Sequence, residues 1–141
     1  MRTVEQDIVN AVRDGRNFRG GHCNGREYNG QFLSGYRDSL SWHDGDFTYL
    51  LWNNKIAFGN AGNKTISVTD CGYPTTTTVS RLNAIFAGLD IPVTARIKNK
   101  LTRYTIADED GLAEIIPVNC TDKQSVFKAG SWTISVSWNQ E

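Results

Sequence analysis

The chain has no excess charge of either sign: 15 Lys and Arg stand against 15 Asp and Glu over 141 residues. That balance excludes a histone-like polyanion binder and a polybasic membrane-surface protein. The sequence holds no apolar run long enough to span a bilayer, so no membrane partner is expected. The opening stretch MRTVEQDIVNAVRDG alternates charged and aliphatic residues and has no signal-peptide core, the pattern of a soluble intracellular protein. Cysteine is scarce. Cys23, Cys71 and Cys120 are odd in number, lie far apart and form no CxxC pair, so neither a disulfide ladder nor a close-spaced zinc ligand set is indicated. The N-x-T sequons at Asn63 and Asn119 would matter only in a secreted protein.

The aromatic share of 11% is enough to build a packed core at a length that suits a single domain, 1–141. The zero net charge conceals a gradient. Residues 73–107 hold Arg81, Arg96, Lys98, Lys100 and Arg103 against Asp90 alone, whereas residues 108–141 hold six acidic residues against Lys123 and Lys128. A basic segment followed directly by an acidic one points to a polarised surface, or to two segments that face each other.

Thr3 with Gln6 matches a capping box, Val4, Ile8, Val9 and Val12 share one helical face, and Gly15 suits a left-handed cap, so a helix is predicted over 3–14. The glycine-rich stretch 20–35 reads as loop with one short strand. Its GGHCNG and GQFLSG pieces lack the Gly-Lys-Ser/Thr of a phosphate loop. From Asp38 the period becomes two, and strands are predicted over 38–43, 47–52, 55–59 and 64–69, with turns at Asp44-Gly45, Asn53-Asn54 and 60–63. Thr75 to Thr78 is extended by propensity, Ser80 suits an N-cap, and Leu82, Ile85 and Phe86 with Gly88 describe a short second helix. A hairpin follows, 93–98 and 101–106 around Asn99-Lys100, then an acidic turn from Ala107 to Gly111, a strand over 112–116 and another over 131–138. The predicted class is α+β, an antiparallel twisted sheet of meander plus hairpin with two short helices, in which 38–106 forms the centre and 107–141 an acidic extension.

Few residues offer chemistry. His43-Asp44-Gly45-Asp46 is explained by an Asp-Gly turn, and Asp108-Glu109-Asp110-Gly111 lacks the later ligands of a calcium loop. His22-Cys23 lacks a second ligand pair for zinc and a recognisable partner for nucleophilic catalysis. No catalytic residue, metal or cofactor is therefore assigned. Among the tryptophans, Trp52 suits the core, while Trp42, Trp132 and Trp138 alternate with serine as half-buried sheet residues or exposed anchors. The strongest candidate surface is TARIKNKLTRY, which places Arg96, Lys98, Lys100 and Arg103 on one ribbon beside Tyr104, a pattern that could contact phosphates and stack a base.

The order of a strand with "IAF", the segment "KTISVTDCGYPTTTTVSRLNAIF" and then "ARIKNKLTRYTI" resembles a small domain of tailed-phage and prophage accessory proteins. Thr77, Thr78, Ser80, Arg81, Leu82 and Asn83 stand closest to its Thr-Thr-x-x-Ser-Arg-Leu-Asn motif. Gly72 precedes them, and Tyr73 replaces the usual Trp. The resemblance implies a phage origin and no activity; Ser80 caps and Leu82 packs, which leaves Arg81 and Asn83 to face a partner. The expectation is a non-catalytic accessory protein of the host cytoplasm that binds a host or anti-phage defence protein. The alternatives are a nucleic-acid-binding module using 94–104 with Arg81, and a small metal-dependent hydrolase using His22 or His43.

Overall fold

The computed structural model describes residues 3–22, 26–28, 31–33, 35–108, 111–115 and 124–137. Helix α1 spans Val4–Asp14, with the Thr3 hydroxyl accepting from the Gln6 N–H at 3.2 Å and Gly15 closing the helix at φ 67°. The Thr3 cap and the Gly15 close are as the sequence predicts. The Gln6 side-chain amide donates to Asn10 one turn further on. Ile8, Ala11 and Val12 bury the inward stripe.

Among the described residues, twelve strands and one further helix follow. They are β1 (Phe18–His22), β2 (Arg26–Tyr28), β3 (Gln31–Leu33), β4 (Tyr36–His43), β5 (Asp46–Leu51), β6 (Asn54–Asn60), β7 (Thr65–Val68), α2 (Thr76–Gly88), β8 (Val93–Lys98), β9 (Leu101–Asp108), β10 (Gly111–Ile115), β11 (Gln124–Ala129) and β12 (Trp132–Ser137). A seven-stranded sheet runs β1-β4-β5-β6-β7-β12-β11, a three-stranded sheet runs β10-β9-β8, and β2 and β3 form a separate pair. The fold is α+β. The described strand pairs are antiparallel except one, β7 with β12, which run parallel from Thr65 opposite Thr133 to Val68 opposite Val136. The segment read as an acidic extension thus supplies two strands of the main sheet.

Alternation along the strands builds the core. Phe47, Tyr49 and Leu51 of β5, Ile66 and Val68 of β7, and Ile134 and Val136 of β12 are buried, while their neighbours turn to the opposite face. With Ile8 and Val12 of α1 and Leu82, Ile85 and Phe86 of α2 they form one apolar cluster. Burying a single such side chain contributes roughly 1.5–3 kcal/mol.

Four local expectations are corrected. The stretch 20–35 holds the end of β1 and two further short strands, where one was expected. The β5–β6 turn is displaced by one residue, because the left-handed positions are Trp52 (φ 52°) and Asn53 (φ 66°). Helix α2 begins at Thr76, and its cap is Thr75, whose hydroxyl accepts from the Thr78 N–H at 3.2 Å. Its buried stripe, Thr78, Arg81, Leu82 and Ile85, starts within the threonine run, so packing overrides β-branched propensity. Gly88 is helical. A Cβ there would lie 2.8 Å from the Val12 Cβ and 2.9 Å from the Val9 carbonyl oxygen, so glycine permits the close crossing of α1 and α2.

Candidate functional site: the basic hairpin

Strands β8 and β9 are joined at Asn99 (φ 55°) and Lys100 (φ 63°), two left-handed positions whose twist matches that of the flanking strands. The register sets Arg96 opposite Arg103 and Lys98 opposite Leu101. Arg96, Lys98 and Lys100 are exposed, and Arg103 is half-buried, with its Nε donating to the Lys98 carbonyl at 3.3 Å. The other face of the hairpin is anchored on the core.

That anchoring face holds Val93, Ala95, Thr102 and Tyr104, all buried. Asn83 of α2 donates its amide to the Ala95 carbonyl at 2.9 Å and accepts from the Ala95 N–H at 2.7 Å, so one side chain acts as a strand partner for β8. The Tyr104 ring meets Phe86 edge-on, with centroids 6.4 Å apart. Burial pushes its hydroxyl pKa up, with the Asp70 charge adding. Thr102 donates to Asp70 Oδ2 at 2.7 Å.

The predicted site residues therefore divide. Arg96, Lys98, Lys100 and Arg103 share the hairpin tip, whereas Arg81, Asn83 and Tyr104 turn inward. Tyr104 is 1% exposed and offers no ring to a base. Asn83 commits both ends of its amide to β8. Arg81 is 4% exposed and corrects the expectation that it faces a partner. Its Nε donates to Asp38 Oδ1 at 2.8 Å and its Nη1 to Glu5 Oε2 at 3.2 Å. Asp38, wholly buried, also accepts from the Tyr49 hydroxyl and from Arg37 Nε, each at 2.7 Å. Burial raises the Tyr49 pKa, and the Asp38 charge beside it raises it further, so Tyr49 stays a neutral donor. Burial opposes the Arg81 charge, but its bonds to Asp38 outweigh that and hold its pKa up. Ser80, read as a cap, instead donates to Glu5 of α1. This network ties both helices to β4 and β5. Asp38 stands at a β-period position that reads as ordinary alternation, so no sequence signal marked it as Arg81's partner.

His43 and Asp44 lie in the solvent on the β4–β5 turn, with His43 Nε2 3.3 Å from Asp44 Oδ2. Among the described residues no group of three His, Cys, Asp or Glu side chains gathers in metal-binding geometry. The Cys71 thiol donates to the Lys55 carbonyl at 3.3 Å. Cys23, Cys120, Asn119, Trp138 and most of the acidic 108–110 turn lie outside the described residues. No helix among the described residues is long and apolar enough to cross a membrane.

Fold and surface together define a small α+β protein whose basic cluster is carried on a buttressed hairpin. Over residues 1–132 the chain matches the family model described as Kyanoviridae Gp96 protein, and it belongs to that bacteriophage family. No curated protein matches it. No solved structure matches it either.

Proposed function

We propose that this phage protein is a non-catalytic accessory protein of the host cytoplasm, docking through the basic tip of the β8–β9 hairpin onto an acidic surface of a host or defence protein and altering that protein's action. One observation carries the reading: Lys98 and Lys100 are exposed at the tip of the hairpin, on the ribbon that also holds Arg96 and Arg103. An arriving anionic surface complements the exposed lysines, which favours association as well as steering it. The anchoring of the other face lowers the cost of ordering the hairpin on binding. Phosphates would satisfy the same cations, but the burial of Tyr104 removes the stacking platform that a nucleic-acid reading draws on.

The test is affinity capture from host lysate, with and without nuclease, using the wild-type protein and Lys98→Glu/Lys100→Glu. One protein, identified by mass spectrometry and then measured with purified components, should be recovered by the wild type and lost with the variant. Recovery indifferent to the charge reversal, or no reproducible recovery, refutes the proposal. Capture that disappears on nuclease treatment assigns the hairpin to nucleic acid instead.

A further inference from the structure

A pocket of about 160 Å³ is lined by Leu51 and Trp52 at the β5–β6 turn, Asp70, Tyr73, and Thr77 and Thr78 at the start of α2, and Asp70 links it to Thr102 of the hairpin. Pockets for drug-sized ligands run to roughly 300–1,000 Å³, while a cavity of roughly 150 Å³ holds a single ring, so this one takes one side-chain-sized group. Two rings flank it. Trp52 is half-buried and held at φ 52°, a conformation rare for so bulky a residue, and Tyr73 is 42% exposed. Asp70 supplies the charge. Its Oδ1 accepts from the Gly72 N–H at 2.9 Å and its Oδ2 from Thr102 at 2.7 Å, which fixes the carboxylate and leaves each oxygen a further lone pair.

Aromatic side chains together with a hydrogen-bonded carboxylate in one pocket suit a planar cation. A guanidinium stacks on such rings and donates two parallel hydrogen bonds to a carboxylate, which a lysine ammonium does not. The start of α2 presents about half a positive charge, and the full charge of Asp70 outweighs it. We propose that this pocket receives an arginine side chain of the partner protein. The proposal rests on the docking reading and adds to it that the partner's acidic surface carries a protruding arginine.

The probe is a capped Gly-Arg-Gly peptide, followed through the Trp52 indole resonance, with the citrulline peptide as its neutral isostere. Saturable shifts are expected, with the arginine peptide at least about tenfold tighter than the citrulline one. Asp70→Asn and Tyr73→Ala should each weaken binding. Asp70 also holds Thr102, so Tyr73→Ala, at a residue outside the buried core, guards against a fold defect. Lys98→Glu/Lys100→Glu should still bind the peptide, which separates failure of the hairpin reading from failure of this one. Equal binding of the citrulline peptide, shifts produced by adenosine but not by the peptide, or no saturation up to about 50 mM would overturn the proposal, since one buried side chain sustains roughly millimolar binding.

Discussion

Arg81 and the hairpin cations belong to one basic segment of the chain, yet the fold uses them in opposite ways. Arg81 lies on the buried stripe of α2 and meets Asp38 and Glu5, so its charge closes a junction between two helices and the main sheet. Arg96, Lys98 and Lys100 stand on an exposed ribbon whose inner face is packed on the same helix. The difference teaches that position on the element, not residue type, separates framework charge from surface charge. A buried ion pair that loses one partner costs several kcal/mol, whereas an exposed charge such as that of Lys98 or Lys100 costs the fold almost nothing.

The largest effect should come from breaking the framework side. Arg81→Ala leaves Asp38 buried with Arg37 and Tyr49 alone, and a loss of about 3–5 kcal/mol is expected, read as a fall in Tm of roughly 10 °C. An unchanged melting temperature would erase the distinction between framework charge and surface charge. Next is the helix crossing. Gly88→Ala forces a methyl toward the Val9 carbonyl and the Val12 side chain, and overpacking of this kind costs about 1–3 kcal/mol in chemical denaturation.

On the surface side, Lys98→Glu/Lys100→Glu should leave the melting temperature within about 1 °C of wild type, as surface substitutions usually do, while lowering partner affinity about tenfold or more, most of all at low salt. A variant that melts early would show these cations to be structural after all.

The smallest effect concerns Glu5, which sits between the two regimes. Its pKa is lowered, first by the Ser80 hydroxyl, then by a bond from its own backbone, with Arg81 adding. A carboxylate whose folded pKa is depressed contributes stability above its unfolded pKa, and that contribution is lost as the pH falls through the folded value. Glu5→Gln should therefore match wild type at acid pH and be slightly less stable at neutral pH. A difference that grows on acidification contradicts the assignment.

Much of this was legible in the chain, for reasons that can be named. Helix α1 was readable because Thr3, the aliphatic stripe and Gly15 agree with one another, and the Asp44-Gly45 and Asn99-Lys100 turns because few residues tolerate positive φ. The start of α2 was not, because four threonines favour strand locally and only the packing of Thr78 and Arg81 reverses that. The parallel pairing of β7 with β12 joins distant segments, and strand periodicity carries no information about a partner. At the site, alternation separated Arg96 and Lys98 from Ala95. It did not reveal that Asp38 would take Arg81, or that Asn83 would clamp the Ala95 backbone, since both pairings depend on tertiary approach. The Trp52–Asp70–Tyr73 pocket was invisible for the same reason.

The central claim is that the basic tip serves recognition and not stability. Its most direct test is the affinity of the purified partner for wild-type protein and for Lys98→Glu/Lys100→Glu, determined at two salt concentrations on samples whose melting temperatures agree. A large loss of affinity with a flattened salt dependence is predicted. Equal affinity for the two proteins would contradict the account.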